Sequence, residues 1–464
     1  MKTTTDKADL AVGQHERVNM SYVYLITAVA AVGGFLFGFD TAIIAGAIGF
    51  ITTHFHLEKS PELVGFAVSS VLIGCMIGAS ISGVLSDKFG RKKVLLAAAL
   101  IFVATAILAS IPKTLMQFAL ARLLMGVAVG IESVLSPLYI AEIAPAKIRG
   151  KLVTLNHVAL SLGMLSAYAV ALIFEPLGAD MNWRWMFASG AIPAAIFTIA
   201  LLRVPESPRW LTKQGLSDQA VKILARISGE AQAQKDMQNI KETIEQESSS
   251  FSQMLLPGLR TAMIIGIVLA IFQQITGINV ILYYAPEVFK QAGLPIKQAL
   301  WSAILVGLMG LISNYIATLI IDKVGRKKIL IFGTASMCVF LALTGLYFQY
   351  PKIFPPFCAV VFVLGYVVSF GVGLGPGFWT ILSEIFPTRV RGRAMSVATF
   401  FIWSSCFLVA QTFPSLLKNL GAPKTFWLYG IMCLLTIAFT WIFVPETKGK
   451  ALEEIETAWL RKRK

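Results

Sequence analysis

The chain has 464 residues, 56% of them hydrophobic and 14% charged, with a mean hydropathy of +0.73. Soluble domains average about 25% charged residues, so composition excludes a soluble globular fold and points to an all-α membrane protein. A formal charge of +15 raises nucleic acid as a partner, a reading that the positions of the basic residues remove.

Residues 1–21 are a polar tail without a cleavable signal peptide, so the first span is expected to act as an uncleaved anchor. Apolar segments able to cross ~30 Å of hydrocarbon follow at 22–50, 64–85, 94–111, 115–141, 152–174 and 183–204. Residues 205–258 are polar. "SDQAVKILARI" (217–227) alternates at helical spacing, which predicts short amphipathic helices on a membrane surface, and a Ser-rich joint follows at "QESSSF" (246–251). Six more spans run over 259–291, 297–321, 329–348, 356–386, 394–420 and 425–444, and 445–464 is a second polar tail. The expected plan is two six-span halves, 22–204 and 259–444, joined by the linker 205–258. The five cysteines (Cys75, Cys338, Cys358, Cys406, Cys433) lie in or beside apolar runs without CxxC spacing. They read as small apolar filler, with no disulfide framework and no metal site.

Lys and Arg divide unequally between the two faces. About 31 fall on the face that carries both tails and the linker, about 8 on the other, and Arg122 lies inside a span. This asymmetry makes the basic face cytoplasmic. The charge is a topology signal and a means of touching anionic lipid at "RKRK" (461–464).

The halves repeat. "LSDKFGRKK" (85–93) recurs as "IIDKVGRKK" (320–328), "AEIAPAKIRG" (141–150) as "SEIFPTRVRG" (383–392), and "VPESPRW" (204–210) as "VPETKGK" (444–450), at offsets of 235, 242 and 240 residues. A duplicated unit with parallel halves places a substrate at the midplane between them. The repeated charges Asp87, Arg91, Glu142 and Arg149, with Asp322, Arg326, Glu384 and Arg391, are expected to form a latch on the basic face. The latch would close as the halves meet there and stabilise the outward-facing state.

"GVLSDKFGRKK" (83–93), "PLYIAEIAPAKIRG" (137–150), "PESPRWL" (205–211), "QQITGINVILYYAP" (273–286), "SEIFPTRVRG" (383–392) and "PETKGKALEEIE" (445–456) resemble, in order and over nearly the whole chain, the sugar porters of the major facilitator superfamily. The resemblance implies the major facilitator fold with twelve transmembrane helices, alternating access, and a hexose, pentose or polyol as cargo.

A sugar site needs planar amides for hydroxyl pairs and an aromatic face for C–H groups. Span 7 offers Gln273, Gln274 and Asn279, then Tyr283 and Tyr284, with Gly277 to loosen the helix. In "GLGPGFW" (373–379), Pro376 is expected to break span 10 and to leave Trp379 as a stacking platform. The resemblance carries sugar contacts onto Gln273, Gln274, Asn279, Tyr283, Gly375 and Trp379, with Phe37 and Trp403 as apolar walls. It also brings His157 in where many relatives have glutamine. Gly310 and Ile402 stand where relatives usually carry amides.

"GGFLFGFDTAI" (33–43) puts Asp40 inside span 1, where a lone carboxylate is expensive. Counting helical rise, Asp40 lies ~15 Å from the outer end of its span and Arg122 ~10–13 Å from that of span 4, so the two are expected to pair. Gly126 and Gly130 are expected to let these two spans approach. Protonation of Asp40 would release Arg122, which gives a proton-coupling device. Proton-linked sugar porters carry the same two residues. Some xylose symporters add a glutamate where this chain has Gly190. Glu132, ~15 Å nearer the basic face than Arg122, reads as a hydrated or paired structural carboxylate, with a proton relay as the alternative.

The expected activity is sugar/proton symport by a single chain, with no cofactor. A uniporter, a polyol or inositol symporter and a non-transporting sugar sensor are the alternatives. An enzyme is disfavoured. No P-loop, HExxH or GxSxG occurs in a plausible setting, and "GVGLGPG" (371–377) lies in an apolar span.

Overall fold

The computed structural model describes residues 18–145, 148–178, 180–246, 259–386 and 388–448. The tails before 18 and after 448 and the Ser-rich joint lie outside them. Ten helices among the described residues are long and apolar enough to cross a membrane. Arg91–Leu108, which opens on three basic residues, adds an eleventh crossing. The segment Gly392–Phe443 counts as two, because 52 residues of straight helix would be ~78 Å long. Its helical dihedrals fail at Gly421 (φ 79°). The result is an all-α fold of twelve spans.

Spans 1 to 5 are Met20–His54, Pro61–Phe89, Arg91–Leu108, Leu115–Ile143 and Arg149–Phe174. Span 6 comprises Asn182–Ser189 and Ala191–Arg203. The linker forms Pro208–Lys213, Ser217–Ser228 and Glu230–Gln246. The first two pack with the third around Leu211, Ala220, Leu224, Ala233 and Met237, so the linker has a small apolar core of its own.

Close packing between spans depends on absent side chains. Gly126 and Gly130 lie against span 2, not span 1: a Cβ on Gly126 would sit 1.9 Å from the Val71 carbonyl oxygen, and one on Gly130 2.4 Å from that of Cys75. Gly74 and Gly78 answer them from span 2, against Leu123 and Val127. Span 1 meets span 4 elsewhere, where Gly33 faces Ser136, and meets span 5 where Gly38 faces Leu160 and Gly163 faces Phe35. Small residues allow this approach in a medium that offers no hydrophobic drive between helices.

Hydrogen bonds tie the two halves together away from the basic face. Gln411 of span 11 accepts from Ser69 Oγ (2.7 Å) and donates to the Glu62 carbonyl (2.9 Å); Lys418 reaches the Lys59 carbonyl (2.8 Å); Tyr168 of span 5 donates to the Leu282 carbonyl in span 7 (2.9 Å).

On the basic face the repeat is visible as two matching clusters. Arg91 Nε and Nη2 clasp Glu142 at 3.0 Å each, and Nη1 reaches Asp87 at 3.0 Å. Arg326 Nε and Nη2 bond Glu384 at 3.2 and 3.0 Å. Both of these clasps close within one half, whereas the latch expectation paired charges across the interface. Arg149 is exposed, and the side chains of Asp322 and Arg391 lie outside the described residues.

Glu206 and Glu446, unassigned from sequence, complete the clusters. Glu206 accepts from the backbone N–H of Arg91 (3.0 Å) and Lys92 (3.2 Å), and Glu446 from those of Arg326 (3.0 Å) and Lys327 (3.2 Å). Each carboxylate thus caps the start of a span, where free N–H groups and the helix dipole favour negative charge. The turns that present those N–H groups need glycine: Gly90 has φ 97° and Gly325 φ 104°, and a Cβ there would strike Glu206 or Glu446 at 2.3 or 2.8 Å. The recurrence of "VPES" as "VPET" was the signal for both glutamates.

Candidate functional site: a buried amide cluster beside an ion pair

Span 7 breaks between Leu259–Ile275 and Ile278–Gln291. Gly277 adopts a left-handed conformation (φ 95°), and its Cα faces the Tyr429 ring so closely that a Cβ would fall 2.9 Å from it. The carbonyl freed at Thr276 accepts from Tyr366 Oη at 3.0 Å, and Tyr284 Oη anchors the following turn on the Ala410 carbonyl at 3.0 Å. The break turns side chains that a regular helix would separate by ~100° per residue toward one point. Gln274 Nε2 donates to Gln273 Oε1 (2.6 Å), and Asn279 Nδ2 donates to Gln274 Oε1.

Cys406 of span 11 receives this cluster. Its Sγ lies 3.1 Å from Asn279 Nδ2 and 3.6 Å from Tyr283 Oη, so it is a polar contact rather than filler. Trp403, one helical turn away, is buried and packs against Phe37 of span 1 with ring centroids 5.4 Å apart. Amides from one half and aromatic rings from both halves therefore share one region between the halves.

Span 10 breaks at Gly373, between Phe357–Val372 and Leu374–Ile385. Gly373 and Gly333 come so close that a Cβ on either would lie 2.6 or 2.5 Å from the other's Cα. Pro376 is third in the new helix, a position whose N–H is unpaired in any helix, so the proline starts the second segment instead of breaking the first. Trp379 is half-buried with its ring edge-on to Phe378 (5.1 Å), and Gly375 lies against Phe370. Neither joins the amide cluster by a hydrogen bond. His157 is exposed although it lies about two turns inside span 5. It shares a helix face with Ser161, Met164 and Tyr168, the face that Tyr168 turns to the other half.

Asp40 and Arg122 are almost fully buried, at 3% and 0% exposure, and Arg122 Nη1 contacts Asp40 Oδ1. Arg122 also packs over the Phe187 ring, 5.3 Å from its centroid, and lies 3.4 Å from Met125 Sδ. Its Nε and Nη2 are without hydrogen-bond partners among the described residues. A single-point contact with spare donors can be broken and remade more readily than a two-point clasp such as Arg91–Glu142. Glu132 is neither paired nor at a surface: it is fully buried, with both oxygens unpartnered among the described residues.

The sugar (and other) transporter family model matches residues 26–459. The chain belongs to this family. It is 40% identical over 467 residues to the arabinose-proton symporter of Bacillus subtilis, covering 99% of this chain and all of that one. It is 40% identical over 478 residues to the D-xylose-proton symporter of Escherichia coli, with 95% and 96% covered. Among solved structures of the family, the partially occluded inward open conformation of the xylose transporter XylE from Escherichia coli superposes with a TM-score of 0.83 at 38% identity, over 93% of this chain and all of that chain. The proton:xylose symporter XylE bound to 6-bromo-6-deoxy-D-glucose superposes with a TM-score of 0.80 at 39% identity, over 95% and 100%. These matches span nearly the whole length of the chain.

Proposed function

We propose that this protein is a secondary active transporter that moves a monosaccharide together with a proton across the cytoplasmic membrane by alternating access. The observation that carries the reading is the juxtaposition of a buried, single-point Asp40–Arg122 contact with the amide and aromatic cluster of spans 1, 7 and 11. Gln273, Gln274, Asn279 and Tyr283 would bind sugar hydroxyls, Trp403, Phe37 and Trp379 would cover its C–H faces, and His157 and Gly375 would border the cavity. Asp40 would exchange its proton as Arg122 releases and recaptures it. The basic face with both termini is cytoplasmic, lipid surrounds the spans, one chain suffices, and no reaction chemistry is involved. The relatives named for proton symport with arabinose and xylose support a pentose as cargo, and the glucose derivative bound to XylE keeps a hexose open.

Purified protein in vesicles should take up protons when sugar is added outside, and a competition panel of pentoses, hexoses and inositols should name the cargo. Sugar counterflow without proton movement would leave a uniporter in its place.

The state seen here is read as open to the cytoplasm, since the halves are tied at the far end and His157 is exposed. Arg91, Asp87, Glu142 and Arg149, with Arg326, Asp322, Glu384 and Arg391, would then form the gate surfaces that meet in the outward-facing state. Arg91→Gln should raise the rate at which a cysteine placed at position 157 is labelled from the cytoplasmic side by severalfold. An unchanged rate would remove Arg91 from the gate.

A further inference from the structure

Glu132 is a fully buried carboxyl group in the middle of span 4 that has no hydrogen-bond partner among the described residues. As an anion it would be strongly disfavoured in this low-dielectric site, so the neutral acid is the form that fits. Its depth follows from the contact between spans 1 and 4. Gly33 and Ser136 share a level, since a Cβ on Gly33 would lie 2.1 Å from Ser136 Oγ. Moving away from the basic face, Asp40 stands ~10 Å along span 1 and Glu132 ~6 Å along span 4. The two carboxyl groups are therefore about one helical turn apart in depth, with Glu132 nearer the basic face.

Further polar atoms continue the same line. Ser136 Oγ, one turn below Glu132, and Asn156 Oδ1 in span 5 are buried and unpartnered among the described residues. They sit at one level, because Gly34, next to Gly33, would place a Cβ 2.6 Å from Asn156 Oδ1. His157, adjacent to Asn156, is exposed. The titratable or charged groups around Glu132 are Asp40 on span 1, Cys75 on span 2, Arg122 and Tyr139 on span 4 and His157 on span 5. Span 3 supplies Arg91 at the basic end, already clasped by Glu142. Arg122, the one cation among these that reaches Asp40, is engaged by it.

We propose that Glu132 is a second proton-carrying site, which receives the proton of Asp40 and passes it toward the cytoplasm past Ser136 and Asn156. At rest Glu132 carries a proton. Its O–H bond breaks as water at the His157 opening takes that proton, and the carboxylate left behind is short-lived. As Arg122 recaptures Asp40, the Asp40 O–H bond breaks and a new O–H bond forms on Glu132, so the negative charge ends on Asp40, where Arg122 balances it, and Glu132 is neutral again. The inference rests on proton coupling at Asp40.

The test combines infrared spectroscopy of the purified full-length protein with transport in vesicles, using D-xylose as probe. The wild type should show a protonated-carboxyl stretch at neutral pH that Glu132→Gln removes and Asp40→Asn retains. Glu132→Gln should lower proton-driven D-xylose accumulation at least tenfold while counterflow stays within twofold of the wild type. Glu132→Asp should shift the band and restore part of the accumulation, and it serves if the glutamine variant fails to fold. A band that neither Glu132 variant moves, or full accumulation in Glu132→Gln, overturns the proposal. A wild type that moves no protons with sugar would instead overturn the symport reading, whatever the spectrum shows.

Discussion

Asp40→Asn should abolish concentrative sugar uptake while exchange of labelled for unlabelled sugar continues. Each 100 mV of driving force is worth ~2.3 kcal/mol per proton, which sustains roughly fifty-fold accumulation at one proton per sugar. In the variant that ratio should fall to one. Asparagine has the shape of a protonated aspartate, so it holds the protein in the state in which Arg122 is released. Removing one partner of a buried ion pair typically costs about 3–5 kcal/mol, because a bare charge is left behind. Here the Phe187 ring lies under the guanidinium and the site already tolerates two nitrogens of Arg122 that are unpartnered among the described residues, so the released state is one that the cycle can visit. Exchange needs sugar to bind and the halves to rock, with no net proton transfer. Accumulation in vesicles with an imposed pH gradient, set beside counterflow on the same preparation, measures both. Undiminished accumulation in Asp40→Asn would remove Asp40 from coupling.

Asn279→Ala should weaken sugar binding about 10- to 100-fold, equivalent to ~1.5–3 kcal/mol, within the range for losing hydrogen bonds in a site built to make them. Asn279 links the Gln274 side-chain Oε1 to Cys406 Sγ and so connects the two segments of span 7 to span 11. Truncation removes one amide and also leaves Gln274 free to turn away from the cavity. Calorimetric titration with the transported sugar gives the affinity directly. Cys406→Ser gives a control in which a small polar acceptor is kept, and it should change affinity by less than tenfold. A dissociation constant unaltered in Asn279→Ala would place the sugar elsewhere. Double variants with Gln273→Ala should be less than additive, because the three amides act as one chain.

Much of this molecule is written in local sequence. Length and hydropathy determine the spans, since each must satisfy its own backbone in lipid. The distribution of Lys and Arg assigns the faces, and three repeated motifs reveal the duplication before any contact is known. Asp40 and Arg122 were matched by counting residues, because a helix converts sequence distance into depth at a fixed rise. Rotation about each helix axis and the identity of neighbouring helices are not coded in that way. They depend on how twelve surfaces pack together, and this is where expectation and structure part. Gly126 and Gly130 serve span 2 instead of span 1, the clasps of Arg91 and Arg326 close within their own halves, and Pro376 begins a helix that Gly373 had already broken. Cys406 reads as filler until span 11 brings it against Asn279. Local sequence carries the fold class, the partnership of Asp40 with Arg122 and the polar content of span 7. Tertiary packing alone decided which groups meet, because a side chain is satisfied or left unpartnered only by what the neighbouring helix presents. Glu132 shows the difference: its place along span 4 follows from the chain, and its lack of a partner among the described residues only from the packing around it.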